Sequence, residues 1–272
     1  MSDSPLAPLV LDGWFVLHQL FHIDRFARDD EARRGRGQAL AELFASWEDL
    51  GDDGWSGLYR IVGGGADVLA IHFRPTLDAL GVVERELATA EASADLVPVQ
   101  DYVSVVELGL YAITVALLEK AAAEGVEVRS EAWDALVAET LETESRKAYS
   151  RRRLQPVQPP GMPYVCFYPM DKRRAPGQNW YALPLEERAA LMLDHGSAGR
   201  RYAGRIAQVI SGSVGLDDWE WGVTLFAGDP LDFKALVTEM RYDEVSSVYA
   251  EFGSFWVGRR VPTDEIAGEV GG

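Results

Sequence analysis

Three residues in the second half of the chain have side chains suited to ligand or redox chemistry, and each sits in a pattern that fixes where it points. His195 falls on a helical stripe with Leu185, Ala189, Met192, Gly199 and Tyr202, so its imidazole faces inward. There it either satisfies itself on a backbone group in the core or offers a neutral nitrogen to a metal or heme iron. Gly196 and Gly199 would let a flat ligand approach the helix closely. Gln208 alternates with Ile206 and Ile210, which puts an uncharged amide among apolar neighbours. Such an amide needs a partner, in the core or on a ligand. Tyr168 ends the apolar run Tyr164-Val-Cys-Phe-Tyr168, in which Tyr164, Cys166 and Tyr168 share one face. Pro169 is expected to take the chain out of the sheet there, and Lys172, Arg173 and Arg174 follow as a solvated loop or a carboxylate-binding rim. Taken singly, packing is the commoner role for each of the three.

Other signals carry less. His18 and His22 stand four apart with no third ligand in view, and metal binding is not expected there. Gly63-Gly-Gly65 lies between two strand-like runs and reads as a hairpin rather than a phosphate loop. Cys166 is the single cysteine, which excludes an intrachain disulfide and a cysteine-built metal cage. No Ser/His/Asp or Cys/His order supports nucleophilic catalysis.

The chain has 272 residues, 47% of them hydrophobic, and a formal charge of -17, which disfavours nucleic acid as a partner. Its basic residues are nevertheless clustered, with Arg146, Lys147, Arg151, Arg152 and Arg153 shortly before the run that ends in Tyr168, so a local anion site is compatible with the acidic total. Met1-Ser-Asp-Ser-Pro lacks the basic and apolar regions of a leader, and no run reaches membrane-span length; a cytoplasmic protein is expected.

Periodicity supplies the elements that must hold these residues. Strands are expected over residues 10–21, 57–62, 68–73 and 101–108, with helices over 30–50 and 76–92. The order strand, helix, strand, strand, helix, strand then recurs. Strands are expected over 164–168, 205–214, 219–226 and 252–257, with helices over 184–202 and 229–240. The repeat predicts an α+β fold of duplicated ferredoxin-like (βαββαβ) units, forming a dimeric α+β barrel or sandwich within one chain, its interior able to hold a ligand. Its expected parts are an N-terminal unit over 1–145, an irregular basic and proline-rich linker over 146–163, a C-terminal unit over 164–260 and a loose tail over 261–272.

Read together, several stretches closely resemble the coproheme decarboxylases, heme-synthesis enzymes of the chlorite dismutase family. They are Cys166-Phe-Tyr-Pro-Met-Asp-Lys-Arg-Arg174, Gln178-Asn-Trp-Tyr181, Leu183-Pro-Leu-Glu-Glu-Arg188, Asp194-His-Gly196, Tyr202-Ala-Gly204, residues 212–226 and Glu239-Met-Arg-Tyr-Asp-Glu-Val-Ser246. The likeness runs almost without gaps from about Arg153 to Gly258, and Tyr102-Val-Ser-Val-Val-Glu-Leu108 fits the same family.

The resemblance implies a barrel of two ferredoxin-like units and assembly into a homopentamer. It implies His195 as the proximal iron ligand and Gln208 as the distal residue, where chlorite-degrading relatives carry an arginine. It further implies Tyr168 as the redox-active tyrosine, Lys172 near the reacting propionate, Arg153 and Ser246 on propionates, and Met170 and Trp180 lining the pocket. Gln155 stands where a tyrosine is common in the family, two residues after the propionate-binding arginine. The implied activity is hydrogen-peroxide-dependent decarboxylation of two propionates of iron coproporphyrin III (coproheme) to vinyls through a tyrosyl radical, giving heme b. The iron porphyrin would be substrate, product and redox centre, and coproporphyrin ferrochelatase is a candidate partner. The alternatives are a chlorite dismutase or heme peroxidase, and a non-catalytic heme carrier. Three residues that each favour packing alone are harder to dismiss when they occur together at family spacing.

Overall fold

Alternation of apolar residues from Val10 onward makes a long first strand, and the computed structural model, which describes residues 6–24 and 30–271, builds the rest of a closed sheet around it. The N-terminal unit consists of β1 (Val10–Ile23), α1 (Asp30–Trp47), β2 (Trp55–Ile61), β3 (Val68–Arg74), α2 (Leu77–Thr89) and β4 (Leu96–Gly109). Three helices follow, α3 (Tyr111–Glu124), α4 (Glu131–Ser145) and α5 (Ala148–Leu154). The second unit contains β5 (Tyr164–Lys172), α6 (Leu185–Arg200), β6 (Ile206–Gly212), β7 (Trp221–Ala227), α7 (Pro230–Met240), α8 (Glu244–Ser247), β8 (Ala250–Phe252) and β9 (Trp256–Arg260), and α9 (Ile266–Gly271) ends the described chain.

The strand order is β7-β6-β4-β1-β3-β2-β9-β5-β8, and β7 also pairs with β5, so the sheet closes on itself. Within it the first unit runs β4-β1-β3-β2 and the second β9-β5-β7-β6. These are the same order in two copies, as the repeated element pattern predicts. Closure leaves few free edges, and it divides every strand into an inward and an outward face.

The inward face is filled. Trp14, Val16, Tyr59, Phe73, Tyr102, Phe167, Phe226 and Trp256, drawn from strands of both units, form one buried cluster. Aromatic residues of this kind each bury about 150–250 Å², which leaves no room for a ligand. The expectation of a ligand-holding interior is therefore corrected: a period-two strand with two apolar faces does not say which face closes the ring. The outward face is covered by helices, Leu58, Val68 and Ala70 by Leu40, Phe44 and Trp47 of α1. In the second unit Cys166, Tyr168, Val223 and Leu225 lie under Ala198 of α6, Tyr202 in the turn after it, and Phe233, Leu236 and Met240 of α7.

Three local expectations are also corrected. Pro169 does not end its strand, because β5 continues to Lys172. Its carbonyl accepts from Gly253 N at 2.9 Å, so its nitrogen faces the same edge. That edge falls between the stretches of β5 paired to β9 and to β8, and no ladder donor is missed. The expected strand over 252–257 is correspondingly split into β8 and β9. The basic part of the linker is helical as α5, with Leu154 buried against Leu11 and Leu110.

The tail is not loose. Ile266 and Val270 of α9 are buried in the cluster formed with α1 and β2. Replacing Ile266 by alanine is expected to destabilise the fold by about 2–5 kcal/mol, read as a lower denaturant midpoint in equilibrium unfolding. A surface tail would leave that midpoint unchanged. Among the described residues no helix is long and apolar enough to cross a membrane.

Candidate active site

The outward faces of β5, β6 and β7 and the inner side of α6 do not meet everywhere. Between them lies a cavity of about 320 Å³, within the range of small-molecule sites. Strand alternation sets Tyr168, Met170 and Lys172 of β5, Gln208 and Ile210 of β6, and Trp221 and Val223 of β7 on one wall. Helical spacing sets Met192, His195, Gly196 and Gly199 of α6 on the other. Arg153 of α5, Arg241 at the end of α7 and Ser246 of α8 complete the lining from the flanks, with Glu107 and Tyr111 contributed by the first half.

His195 is held from behind. Its Nδ1 donates to Asp243 Oδ2 at 3.1 Å, which leaves Nε2 as the nitrogen available to a ligand. Asp243 is the cap of α8, accepting from Ser246 N at 3.0 Å, and Ser246 Oγ lies 3.3 Å from the same Oδ2 that holds the histidine. Burial works to raise the Asp243 pKa, but the bond and charge of His195 and the donors of Ser246 outweigh it and hold the carboxyl below its ordinary value. A short helix start therefore fixes both the imidazole and Ser246.

Tyr168 is 6% exposed, with its ring stacked on Phe255 at 4.3 Å between centroids. Among the described residues its hydroxyl has no hydrogen-bond partner. Burial raises its pKa, the neighbouring Cys166 adds to that, and Arg241 opposes it, so the group is a neutral phenol throughout the physiological range. Lys172, 8% exposed, carries its Nζ 4.5 Å from the centre of the Trp180 ring, and its backbone N donates to Glu220 Oε2 at 2.8 Å. Burial lowers its pKa to about 8, against the pull of Asp243 and Glu220.

Six of the seven residues that the sequence names beside His195, together with His195 itself, line this one cavity: Arg153, Tyr168, Met170, Lys172, Gln208 and Ser246. Of the three consecutive arginines only Arg153 does so, its Nη1 donating to the Gln208 carbonyl at 3.0 Å. Trp180 is not on the wall; at 1% exposure it lies beneath Lys172 and against Tyr249. Sequence reasoning missed Glu107, Tyr111, Trp221, Arg241 and Asp243. Only Asp243 left a local signal, as an acidic cap three residues before Ser246.

The lining suits a flat macrocycle. Gly199 has no Cβ, and one placed there would stand 3.4 Å from Met240 Cε and 3.9 Å from Gln208 Oε1, narrowing the gap between helix and sheet. A planar ligand in that gap would meet His195 Nε2 on one side and the Gln208 amide on the other, and the walls are mostly apolar.

The family model of chlorite dismutase matches residues 36–261. The chain belongs to the chlorite dismutase family. It is similar over 98% of its length, at 40% identity and a TM-score of 0.81, to a structure described as a novel heme-binding protein from Thermus thermophilus, of which 98% is covered. It is also similar to chlorite dismutase from Candidatus Nitrospira defluvii in complex with imidazole, at 18% identity, 96% coverage of both chains and a TM-score of 0.69, a likeness of fold. In this member of the chlorite dismutase family the cavity wall formed by β6 offers Gln208, an amide without charge.

Proposed function

We propose that the protein is a coproheme decarboxylase, which uses hydrogen peroxide to turn two propionates of iron coproporphyrin III into vinyl groups and so yields heme b. The observation that carries the reading is the grouping of Tyr168, a buried neutral phenol with a free hydroxyl, with the ammonium of Lys172 on the wall opposite His195. The substrate carries four carboxylates, and Arg153, Lys172, Arg241 and Ser246 are the cations and hydroxyl that would receive them in an otherwise acidic chain.

His195, oriented by Asp243, would hold the iron, and the bound iron would pass the oxidising power of hydrogen peroxide to the protein. Tyr168 would give up one electron and its hydroxyl proton together, since burial disfavours the phenolate. The resulting neutral radical would take a hydrogen atom from the β-carbon of a propionate placed by Lys172. The substrate would then lose carbon dioxide and one electron and be left with a vinyl group. Each round removes two electrons in all and consumes one hydrogen peroxide. The Gln208 amide can hydrogen-bond at the distal side without attracting an anion, which weighs against chlorite as substrate. The reading carries with it a homopentamer, a cytoplasmic location and supply of substrate by coproporphyrin ferrochelatase.

Oxygen evolution from chlorite, followed beside porphyrin conversion in the coproheme-loaded protein, tests the assignment. Rapid oxygen evolution with an unchanged porphyrin would make it a chlorite dismutase. An unchanged porphyrin with neither activity would make it a heme carrier, the reading that the description of the Thermus thermophilus relative favours.

Lys172 gives a pH dependence. Its ammonium is disfavoured in the empty cavity and favoured by a bound carboxylate, so affinity for coproheme should be full below about pH 8 and fall as pH rises through that value. Lys172→Met should weaken binding and remove this alkaline limb. Titrations of both proteins from neutral to alkaline pH check it, and parallel pH profiles would count against the role.

A further inference from the structure

Among the described residues that line the cavity, Glu107 is the only carboxyl group, in a wall whose other charged side chains are Arg153, Lys172 and Arg241. It comes from β4, next to the seam where Val105 meets Gly212 and Val106 meets Ser211 to join the two units. It has a built seat. A Cβ on Gly212 would fall 2.2 Å from Glu107 Oε2, so glycine leaves it room, and Trp221 Nε1 donates to Oε1 at 2.7 Å. Asp12 on β1, Tyr102 on β4 itself and Tyr111 at the start of α3 are the titratable groups near it, and Arg153 shares the cavity from α5. None of the described residues forms an ion pair with it. Burial raises its pKa, the Trp221 bond opposes that and Asp12 adds to it.

We propose that Glu107 takes up a proton from solvent when a carboxylate-rich porphyrin enters the cavity, and that this uptake sets the preference for a tetracarboxylate macrocycle over a dicarboxylate one. The inference rests on the reading of the cavity as a porphyrin site. An ionised carboxylate facing bound carboxylates in a partly desolvated cavity is repelled, and it escapes the repulsion by becoming neutral. The repulsion is greater for four carboxylates than for two. Linkage fixes the sign: the protonated form is favoured in the complex, so affinity for the tetracarboxylate is full below the free group's pKa and declines as pH rises from there toward the higher pKa of the complex. The dicarboxylate declines less. Substrate is thus preferred over product most strongly when Glu107 is protonated.

Calorimetric titration with iron-free coproporphyrin III, and separately with heme b, at about pH 6 in buffers of different ionisation heat reads the proton directly. Lys172, with its pKa near 8, is already charged there and adds nothing. Glu107→Gln keeps an acceptor for Trp221 but cannot titrate. The unaltered protein should take up more protons than this variant on binding coproporphyrin III, by up to one. Its affinity ratio between the two porphyrins should fall with pH by at most about tenfold per unit more steeply than that of the variant. Equal uptake and parallel ratios would overturn the proposal. Infrared difference spectra of the unaltered protein with isotopically labelled glutamate read the same event without a substitution, through growth of a protonated carboxyl band on binding; its absence is equally fatal. If heme b binds and coproporphyrin III does not, the proposed substrate falls and the tetracarboxylate preference falls with it. If both bind without the proton, only the role of Glu107 is lost.

Discussion

Tyr168→Phe is expected to bind coproheme within about twofold of the unaltered protein and to decarboxylate it at least about a hundredfold more slowly, equivalent to about 2.7 kcal/mol of barrier. The substitution removes one oxygen. The ring keeps its stack on Phe255 and its contact with Phe252, and no hydrogen bond is lost because the hydroxyl has no protein partner among the described residues. Stability should therefore change little, and thermal unfolding of the variant serves as the control. Phenylalanine cannot lose an electron and a proton together, so only the radical step is removed. Hydrogen peroxide should still bleach or be consumed by the loaded variant while carboxyl groups remain. Heme b formed at the parent rate would show that another group carries the oxidation, with Tyr111 or Trp221, the other oxidisable aromatics on the wall, as the next to replace.

His195→Ala should separate the iron from the rest of the ligand. Outer partners of a metal ligand such as Asp243 are commonly worth about 10–100-fold in metal affinity, so the ligand itself is expected to be worth at least about a hundredfold. Affinity for iron coproporphyrin III should fall by that factor, whereas affinity for iron-free coproporphyrin III should hold, since Arg153, Lys172, Arg241 and Ser246 remain. This difference distinguishes a lost iron bond from a collapsed cavity. Removing the ring also releases Asp243 from its partner, and its pKa should rise, because burial then works against the donors of Ser246 alone. Added imidazole, entering the space left by the side chain, should restore part of the iron affinity. Equal losses for both porphyrins would mean that His195 shapes the cavity without binding iron.

The repeated order of strands and helices was legible because periodicity and turn residues are local properties. His195 and Gln208 could be oriented for the same reason: a helical stripe and a strand alternation each fix a direction. What lay beyond the sequence is made of contacts between distant residues. Asp243 reaches His195 across 48 positions, and Trp221 reaches Glu107 across 114. Neither pairing leaves a pattern in a local window. The run of β5 through Pro169 depends on which edge lacks a partner, a property of β8 and β9 rather than of the proline. α5 and α9 are short, and their stability comes from burying Leu154, Ile266 and Val270 against elements far along the chain. The site lies outside the ring because the aromatic side chains meet inside it, and only closure of the sheet reveals that.

In the proposed reaction the substrate is altered one propionate at a time while the protein supplies the radical. The most direct measurement is a mass spectrum of the porphyrin over time, in coproheme-loaded protein given hydrogen peroxide in steps. Two successive losses are expected, each of carbon dioxide and two hydrogens, through a species with three propionates to heme b, with neither step seen in Tyr168→Phe. A porphyrin that keeps all four carboxyl groups, or one that degrades without passing through these masses, would contradict it.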